Sequence, residues 1–290
     1  MSPHLLQRTT ILGTGLIGGS FALALRKFTP DMHITGWDRP EPVHLAKSCG
    51  ALDDAFSGEL APALASADLV YIALPIGVTL NLLPQIAKHC APRALVTDAC
   101  STKLRIAQIA AELFRTEAGP LFLGGHPMAG RELSGFPHAD ANLFQNSPYA
   151  LMGNAHESGD SRVSAFVKII EKLGARPLWL SPQQHDNSVG LASHLPQLVA
   201  IALASFLYDR LDENGLPITL AGPGLRDSLR LAGSPYALWR DIVLTNKEVL
   251  SVSLDLLARR LDELRERLDS RDLEADFDAA NELYKLLRGL

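Results

Sequence analysis

Six residues near the N-terminus, Gly13-Thr14-Gly15-Leu16-Ile17-Gly18, constrain the fold more than any other stretch. They follow an apolar, β-type run at residues 9–12 and open a helical pattern that continues through Phe21, Leu23, Ala24 and Leu25. Between a strand and a helix, each glycine has its own task. The first permits the tight turn, the second lets backbone N–H groups approach a pyrophosphate, and the third lets the helix pack on the strand. Leu16 and Ile17 lie between them and join Gly13, Gly15 and Gly18 as candidate cofactor contacts. Such a motif alone can also be a glycine-rich turn with no ligand. The next strand-like run, His33-Ile34-Thr35-Gly36-Trp37-Asp38, favours the nucleotide. It ends in an acid about 20 residues past the glycines, where a carboxylate accepts hydrogen bonds from a ribose 2′-OH and repels a 2′-phosphate. Asp38 therefore favours NAD over NADP. Arg39 keeps NADP open, since a guanidinium can pair with a phosphate if Asp38 turns away. Asp38 can also be read as a turn residue ahead of Pro40.

From Glu41 helical and strand patterns alternate without a break. Helical spacing covers 42–49, 78–89, 102–114 and 162–173, and strand-like runs cover 68–74, 94–98, 121–123, 148–152 and 176–181. This predicts parallel strands with helices on both faces, an α/β, Rossmann-type doubly wound sheet. Ligands of such sheets collect at the C-terminal strand ends, so the turns after Leu12, Leu74, Val96 and Leu123 should face one crevice. Pro75 breaks its strand there, making Leu74 and Pro75 further candidate cofactor contacts.

Two of those turns carry reactive groups. In the stretch 121–135, LFLGGHPMAGRELSG, His126 follows two glycines and Pro127 forbids a helix, so the imidazole is expected at a strand end, on a loop. Upstream, the apolar run at 94–96 leads into Thr97-Asp98-Ala99-Cys100-Ser101-Thr102-Lys103. If both strands share a sheet, Ser101 and His126 meet over one edge. A loop histidine standing alone is more often structural than catalytic, and the nucleotide motif is what tips this one.

The formal net charge of -5 over 290 residues, with no long basic cluster, leaves no electrostatic footprint for nucleic acid or an anionic membrane. Three cysteines, Cys49, Cys90 and Cys100, show no metal or redox spacing, which suits free thiols in a reducing compartment. The apolar start resembles a signal sequence until its glycines are counted. The apolar stretch at 195–207 is too short to span a bilayer and reads as a buried helix. A soluble cytoplasmic protein without a metal site is expected.

Ser181-Pro182 reads as a helix start, with serine as N-cap and proline in the first turn. Beyond it the strand signal disappears, and helices are predicted over about 183–211, 226–232, 235–245, 247–268 and 273–288. The expected division is a dinucleotide-binding domain, 1–181, and an all-helical substrate and dimerisation domain, 182–290. Leu250, Leu254, Leu257, Leu261, Leu264 and Leu268 form a seam that wants a partner helix, either within the domain or across a homodimer. So long and apolar a helical half, with few strands to cover, leans toward the homodimer.

Taken together the sequence resembles the prephenate dehydrogenase family, which includes arogenate and cyclohexadienyl dehydrogenases. The resemblance covers nearly the whole chain. It rests on the glycine motif through Gly19-Ser20, on Thr97-Asp98 with Ser101 and Lys103, and on Gly125-His126-Pro127-Met128-Ala129-Gly130 with Glu132 and Ser134-Gly135. It also rests on Ser193-His194-Leu195-Pro196, and on Arg226-Asp227 with Arg230 and Trp239-Arg240-Asp241. The resemblance implies oxidation of a cyclohexadienol, prephenate or arogenate, with loss of carbon dioxide on the route to tyrosine. His126 matches the family's proton-accepting histidine and Ser101 its hydroxyl partner. Arg230 matches a substrate-binding arginine, although Asp227 three residues away makes a helix-surface ion pair an alternative. His194 and Gln197 are implied in the substrate pocket, the neutral amide of Gln197 being able to tolerate a keto acid or an amino acid. From their motif positions, Arg131 is expected to reach a carboxylate and Glu132 to pair with Arg230. An imidazole base further implies kcat/KM rising with pH across the neutral range. The sequence stops at Leu290, so the fused mutase and ligand-sensing domains of some relatives are not expected. Competing readings are a β-hydroxyacid dehydrogenase, which would want a lysine as acid–base group, and a non-catalytic NAD-sensing regulator, which would need neither Ser101 nor His126.

Overall fold

The structure, a computed structural model, describes residues 6–115, 118–131, 133–153, 159–211, 215–270 and 272–289. Its first half alternates as β1 (Arg8–Leu12), α1 (Leu16–Phe28), β2 (His33–Trp37), α2 (Pro40–Ser48), β3 (Asp54–Phe56), α3 (Ala61–Leu64), β4 (Leu69–Ile72), α4 (Ile76–His89), β5 (Leu95–Asp98), α5 (Leu104–Leu113) and β6 (Leu121–Leu123). The six strands form one parallel sheet in the order β3-β2-β1-β4-β5-β6. Strand order reverses between β1 and β4, which opens a crevice beyond their C-terminal ends. β1, β4 and β5 are buried almost throughout, as expected of strands covered on both faces. On one face Phe21 stacks on Tyr71 at a centroid separation of 3.8 Å, with Phe144 edge-on to Phe21 at 6.2 Å. On the other, Leu12, Leu64, Ile72, Ile86 and Val96 pack together. Each such side chain contributes roughly 1.5–3 kcal/mol by leaving water.

The strands do not all join one parallel sheet, contrary to the alternation. β7 (Gly125–Pro127), β8 (Pro148–Met152) and β9 (Arg176–Leu180) make a separate sheet, with α6 (Ser161–Lys172) between the last two and β7 antiparallel to β8. His126 therefore lies within a strand, opposite Ala150, and not on a loop. Pro127 excludes a helix there, but its fixed φ and missing N–H suit an edge strand, and β7 is one. Close packing explains the glycines before it. A Cβ at Gly124 would stand 2.7 Å from Met152 Cγ, and one at Gly125 would stand 2.8 Å from the Asp98 carbonyl oxygen. Thr97 and Asp98 close β5, within the strand-like run at 94–98.

The second half is helical: α7 (Pro182–Val189), a π-helical turn (Gly190–His194), α8 (Leu195–Tyr208), α9 (Leu216–Thr219), α10 (Pro223–Leu229), a 3-10 turn (Arg230–Gly233), α11 (Tyr236–Thr245), α12 (Lys247–Glu266) and α13 (Glu274–Arg288). Ser181 closes a capping box with Gln184 at the start of α7. The helix expected over about 183–211 is present, but the reading of its apolar stretch at 195–207 as buried and too short to span a bilayer is overturned. The turn Gly190–His194 joins α7 to α8 in one run, Pro182–Tyr208, long and apolar enough to cross a membrane by length and composition. Little of α8 is covered within the chain. Only Gln197 and Ala200 are buried, while Val199, Ile201 and Phe206 are exposed. Leu250 alone of the leucine seam is buried; Leu254, Leu261 and Leu268 are exposed, as are Phe277, Leu283, Leu286 and Leu287 of α13. The seam does not find its partner within its own domain. A soluble chain rarely leaves so much apolar surface open except at an interface.

Candidate active site

Close packing shapes the glycine loop at two of its glycines. Gly13 sits at φ +92°, where a Cβ would overlap the Ala73 carbonyl, and a Cβ on Gly18 would overlap the Gly13 carbonyl. Gly15 by contrast faces open space and begins α1 with no side-chain cap. The N–H groups of Leu16 and Ile17 at this helix start are thus placed to meet a phosphate, to which the uncapped end of a helix is attractive. Asp38, one residue past β2, faces the loop: Oδ2 accepts from the Thr14 N–H at 2.7 Å and from its hydroxyl at 3.1 Å. Its other oxygen accepts the Arg39 N–H at 2.7 Å, and Arg39 itself is exposed at the start of α2. Leu74 and Pro75 lie beyond β4, with Pro75 as the N-cap of α4. The Gly77 N–H in the first turn of α4 donates to Asp241 of α11 at 2.9 Å, which ties the helical half to the crevice. An open second glycine, an uncapped helix start and an acid one strand away fit a dinucleotide.

Beside the crevice lies a cavity of about 260 Å³ whose lining includes Ser101, His126, Met128, Ser193, His194 and Trp239. It draws on both halves, because β7 supplies His126 while the π-helical turn and α11 supply His194 and Trp239. Ser101, His126 and His194 line it together, although the strand before Ser101 and the strand of His126 belong to different sheets, not to one sheet edge.

Under the cavity lies a buried polar network. Lys103 pairs with Asp98, both excluded from solvent, and its Nζ also donates to the Gly125 carbonyl at 2.7 Å. Asp98 accepts the Gly125 N–H at 3.2 Å and the Cys100 N–H at 3.1 Å. These bonds lock the end of β5 to the start of β7, and so fix Ser101 relative to His126. The partner of His126 Nδ1 is His185 Nε2 at 2.8 Å, and His185 Nδ1 meets Asp186 Oδ1 at 2.7 Å. Asp186 also accepts the backbone N–H groups of Lys103 and Leu104, at 2.7 and 2.8 Å. Asn246 donates to the Asp186 carbonyl at 2.9 Å, which orients its amide, and the same nitrogen faces His194 Nδ1 at 3.1 Å. His194 Nδ1 is therefore an acceptor, and a neutral His194 carries its proton on Nε2. Burial above all, then the neighbouring His185, Lys103 and His194, holds the His126 imidazole well below its ordinary pKa. Burial likewise pushes His194 down to about 4, against the pull of Asp186. Both are neutral at pH 7.

Among the described residues, the other expected ligands do not line this cavity. Gln197 is buried, its amide donating to the Leu231 carbonyl at 2.8 Å and accepting from Ser234 at 3.4 Å. These two bonds brace the turn that carries Arg230. Arg131 forms an ion pair with Asp140, outside the cavity lining. Arg230 is exposed at the start of the 3-10 turn, also outside that lining. Glu132, and with it the expected pairing to Arg230, lies outside the described residues. Sequence reasoning missed His185, Asp186 and Asn246 and gave Asp98 and Lys103 no task. A signal existed for the first two: His185 and Asp186 lie within about a third of a turn of apolar Val189 on one side of the predicted helix, the side of α7 that is buried.

The glycine loop, the switch-point crevice and a histidine cavity closed by a helical half define a two-domain, dinucleotide-dependent oxidoreductase of Rossmann type. Residues 21–178 match the family profile described as "Prephenate dehydrogenase, nucleotide-binding domain", and residues 181–288 match "Prephenate dehydrogenase, dimerization domain". The chain belongs to the prephenate dehydrogenase family. It is 36% identical over 271 residues to a prephenate dehydrogenase of Lactococcus lactis subsp. cremoris, covering 93% of this chain and 73% of that one. It is 28% identical to a cyclohexadienyl dehydrogenase of Zymomonas mobilis, covering 90% and 88%. Among solved structures it is similar to prephenate dehydrogenase from A. aeolicus in complex with hydroxyphenyl propionate and NAD+, with TM-score 0.86, 28% identity and coverage of 98% and 97%. Synechocystis arogenate dehydrogenase matches with TM-score 0.76, 29% identity and coverage of 97% and 96%.

Proposed function

We propose that this protein catalyses the NAD-dependent oxidative decarboxylation of prephenate, arogenate or both, with His126 accepting the proton of the ring hydroxyl. The observation that carries the reading is the convergence of neutral His126, Ser101 and His194 on one cavity beside the nucleotide crevice. When bound, the nicotinamide supplies the hydride acceptor. Oxidation of the ring carbon needs the hydroxyl proton to leave as hydride leaves, and a neutral imidazole lowers that barrier by accepting it. Ser101 orients the hydroxyl from the cavity wall. His194, carrying its proton on Nε2, donates to a substrate oxygen. Decarboxylation then needs an oriented carboxylate and little more, because the electrons of the C–CO₂ bond flow into the ring and make it aromatic.

Asp38 turned toward the glycine loop, both oxygens engaged by main-chain donors, supports NAD over NADP. Arg230 on its braced turn is assigned to a substrate carboxylate, which a guanidinium grips through two parallel hydrogen bonds. Arg230→Gln is expected to raise KM with kcat little changed, and an unchanged KM would refute the role. The depressed pKa of His126 revises the pH dependence inferred from sequence. A histidine held below its ordinary value loses its proton earlier as pH rises, so kcat/KM is expected to be flat from about pH 6.5 to 8 and to fall only on the acid side. An acid limb centred near neutrality would contradict the buried imidazole.

We assign the helical half, 182–290, to homodimer formation and take Ser181 as its boundary with the nucleotide domain. The open faces of α8, α12 and α13 support a soluble, cytoplasmic dimer over a membrane-spanning segment, since apolar exposure is spread over three helices and not confined to 182–208. Light scattering after size exclusion is expected to give twice the chain mass; a clean monomer would overturn this. Steady-state assays of prephenate and arogenate against NAD and NADP test the reaction. Nucleotide binding without turnover of either substrate would favour the non-catalytic sensor.

A further inference from the structure

We propose that His185 and Asp186 are positioning residues that fix the tautomer of His126 and draw inward the charge created when it takes up a proton. This deepens the proposed function and rests on His126 as proton acceptor. The two oxygens of Asp186 accept the Lys103 and Leu104 N–H groups, at the start of α5, so the carboxylate is an acceptor anchored by main chain from the other half of the protein. His185 Nδ1, 2.7 Å from Oδ1, must then be a donor. With His185 Nδ1 as that donor, its Nε2 serves in the proposed arrangement as the acceptor in the 2.8 Å contact with His126 Nδ1, which places the proton on His126 Nδ1. The remaining nitrogen, His126 Nε2, is thereby left unprotonated as the acceptor for substrate.

The proton step balances without a further reactant. The substrate O–H bond breaks and an N–H bond forms at His126 Nε2. The proton on His126 Nδ1 is shared with, or passes to, His185 Nε2, and the positive charge comes to rest between two imidazoles against the Asp186 carboxylate. Without that outlet the charge would lie on a buried imidazole near Lys103 and His194. Lys103 is already paired with Asp98, and His194 Nδ1 accepts from Asn246. The carboxylate that balances the histidine pair is therefore Asp186. Its own backbone carbonyl accepts from Asn246, so this one residue sets both cavity histidines, one as acceptor and one as donor.

The test uses the full chain. In protein carrying nitrogen-15 histidine, the signals lost in His126→Asn are expected to show a protonated Nδ1 and a bare Nε2 at pH 7. The reverse tautomer overturns the proposal. His185→Phe removes the acceptor and is expected to lower kcat by about 100-fold, with KM and the dissociation constant for NAD essentially unchanged. His185→Gln keeps a carbonyl oxygen that can accept the Nδ1–H, and is expected to recover about tenfold of that loss. Wild-type kcat in both variants overturns the proposal. Because His126→Asn is measured alongside, the two failures separate. If it turns over normally the proton-acceptor reading itself falls, whereas if it collapses while His185→Phe does not, only the positioning role falls. Should His185→Phe fail to fold, the tautomer measurement and His185→Gln still decide.

Discussion

His126→Asn is expected to lower kcat by about 10²–10⁴-fold while leaving NAD affinity nearly intact. Asparagine fills a similar space and can still meet His185, but it offers no basic nitrogen. The nucleotide contacts are assigned to the glycine loop and Asp38, on the β1 and β2 side of the crevice, and this substitution does not reach them. Loss of the base therefore falls on the chemical step. Rapid-mixing measurement of reduced nicotinamide in a single turnover separates that step from product release, and a variant with near-normal single-turnover rate would remove His126 from the mechanism. The comparison gains force from the pH at which it is made. Both cavity histidines are neutral at pH 7, so the wild-type enzyme is not held back by protonation there.

Lys103→Met is expected to destabilise the fold by about 3–5 kcal/mol, because it strands a buried carboxylate with no compensating charge. The Asp98–Lys103 pair lies wholly inside, and the ammonium also satisfies the Gly125 carbonyl. In a chain of this size about 2–4 °C of melting temperature is lost per kcal/mol, so a drop on the order of 10 °C is expected. Pairing it with Asp98→Asn should restore part of that loss. Asparagine removes the orphan charge and still offers an acceptor to one of the Gly125 and Cys100 N–H groups. Calorimetry on the three proteins checks this, and a single variant as stable as the double would show that the buried charge is not what matters. Since the pair ties β5 to β7, surviving Lys103→Met protein should also show impaired turnover, through misplacement of Ser101 relative to His126.

Much of the site was legible where the reason for a residue is local. Gly13, Gly15 and Gly18 are demanded by one turn and one helix start, and Asp38 by the neighbouring strand end, so their spacing carries their meaning. His126 stood out because two glycines and a proline isolate it. His185 and Asp186 escaped notice because nothing in a helix start announces that it will be driven under a strand 59 residues away. Gln197 and Arg131 are the opposite case. Their motif positions were read as pointing at substrate, whereas their polar groups are already engaged by Leu231 and Ser234, and by Asp140.

The sequence by itself determined the nucleotide domain and the switch from strands to helices near Ser181, and it singled out His126, since periodicity, turn chemistry and capping act over a few neighbouring residues. Only the tertiary structure decided that His126 sits in a strand of a second sheet, that its Nδ1 faces His185, and that the leucine seam of α12 remains open. Each of those outcomes depends on contacts between segments distant in the chain, and a hydrogen bond or a packed face has no partner until folding brings one to it.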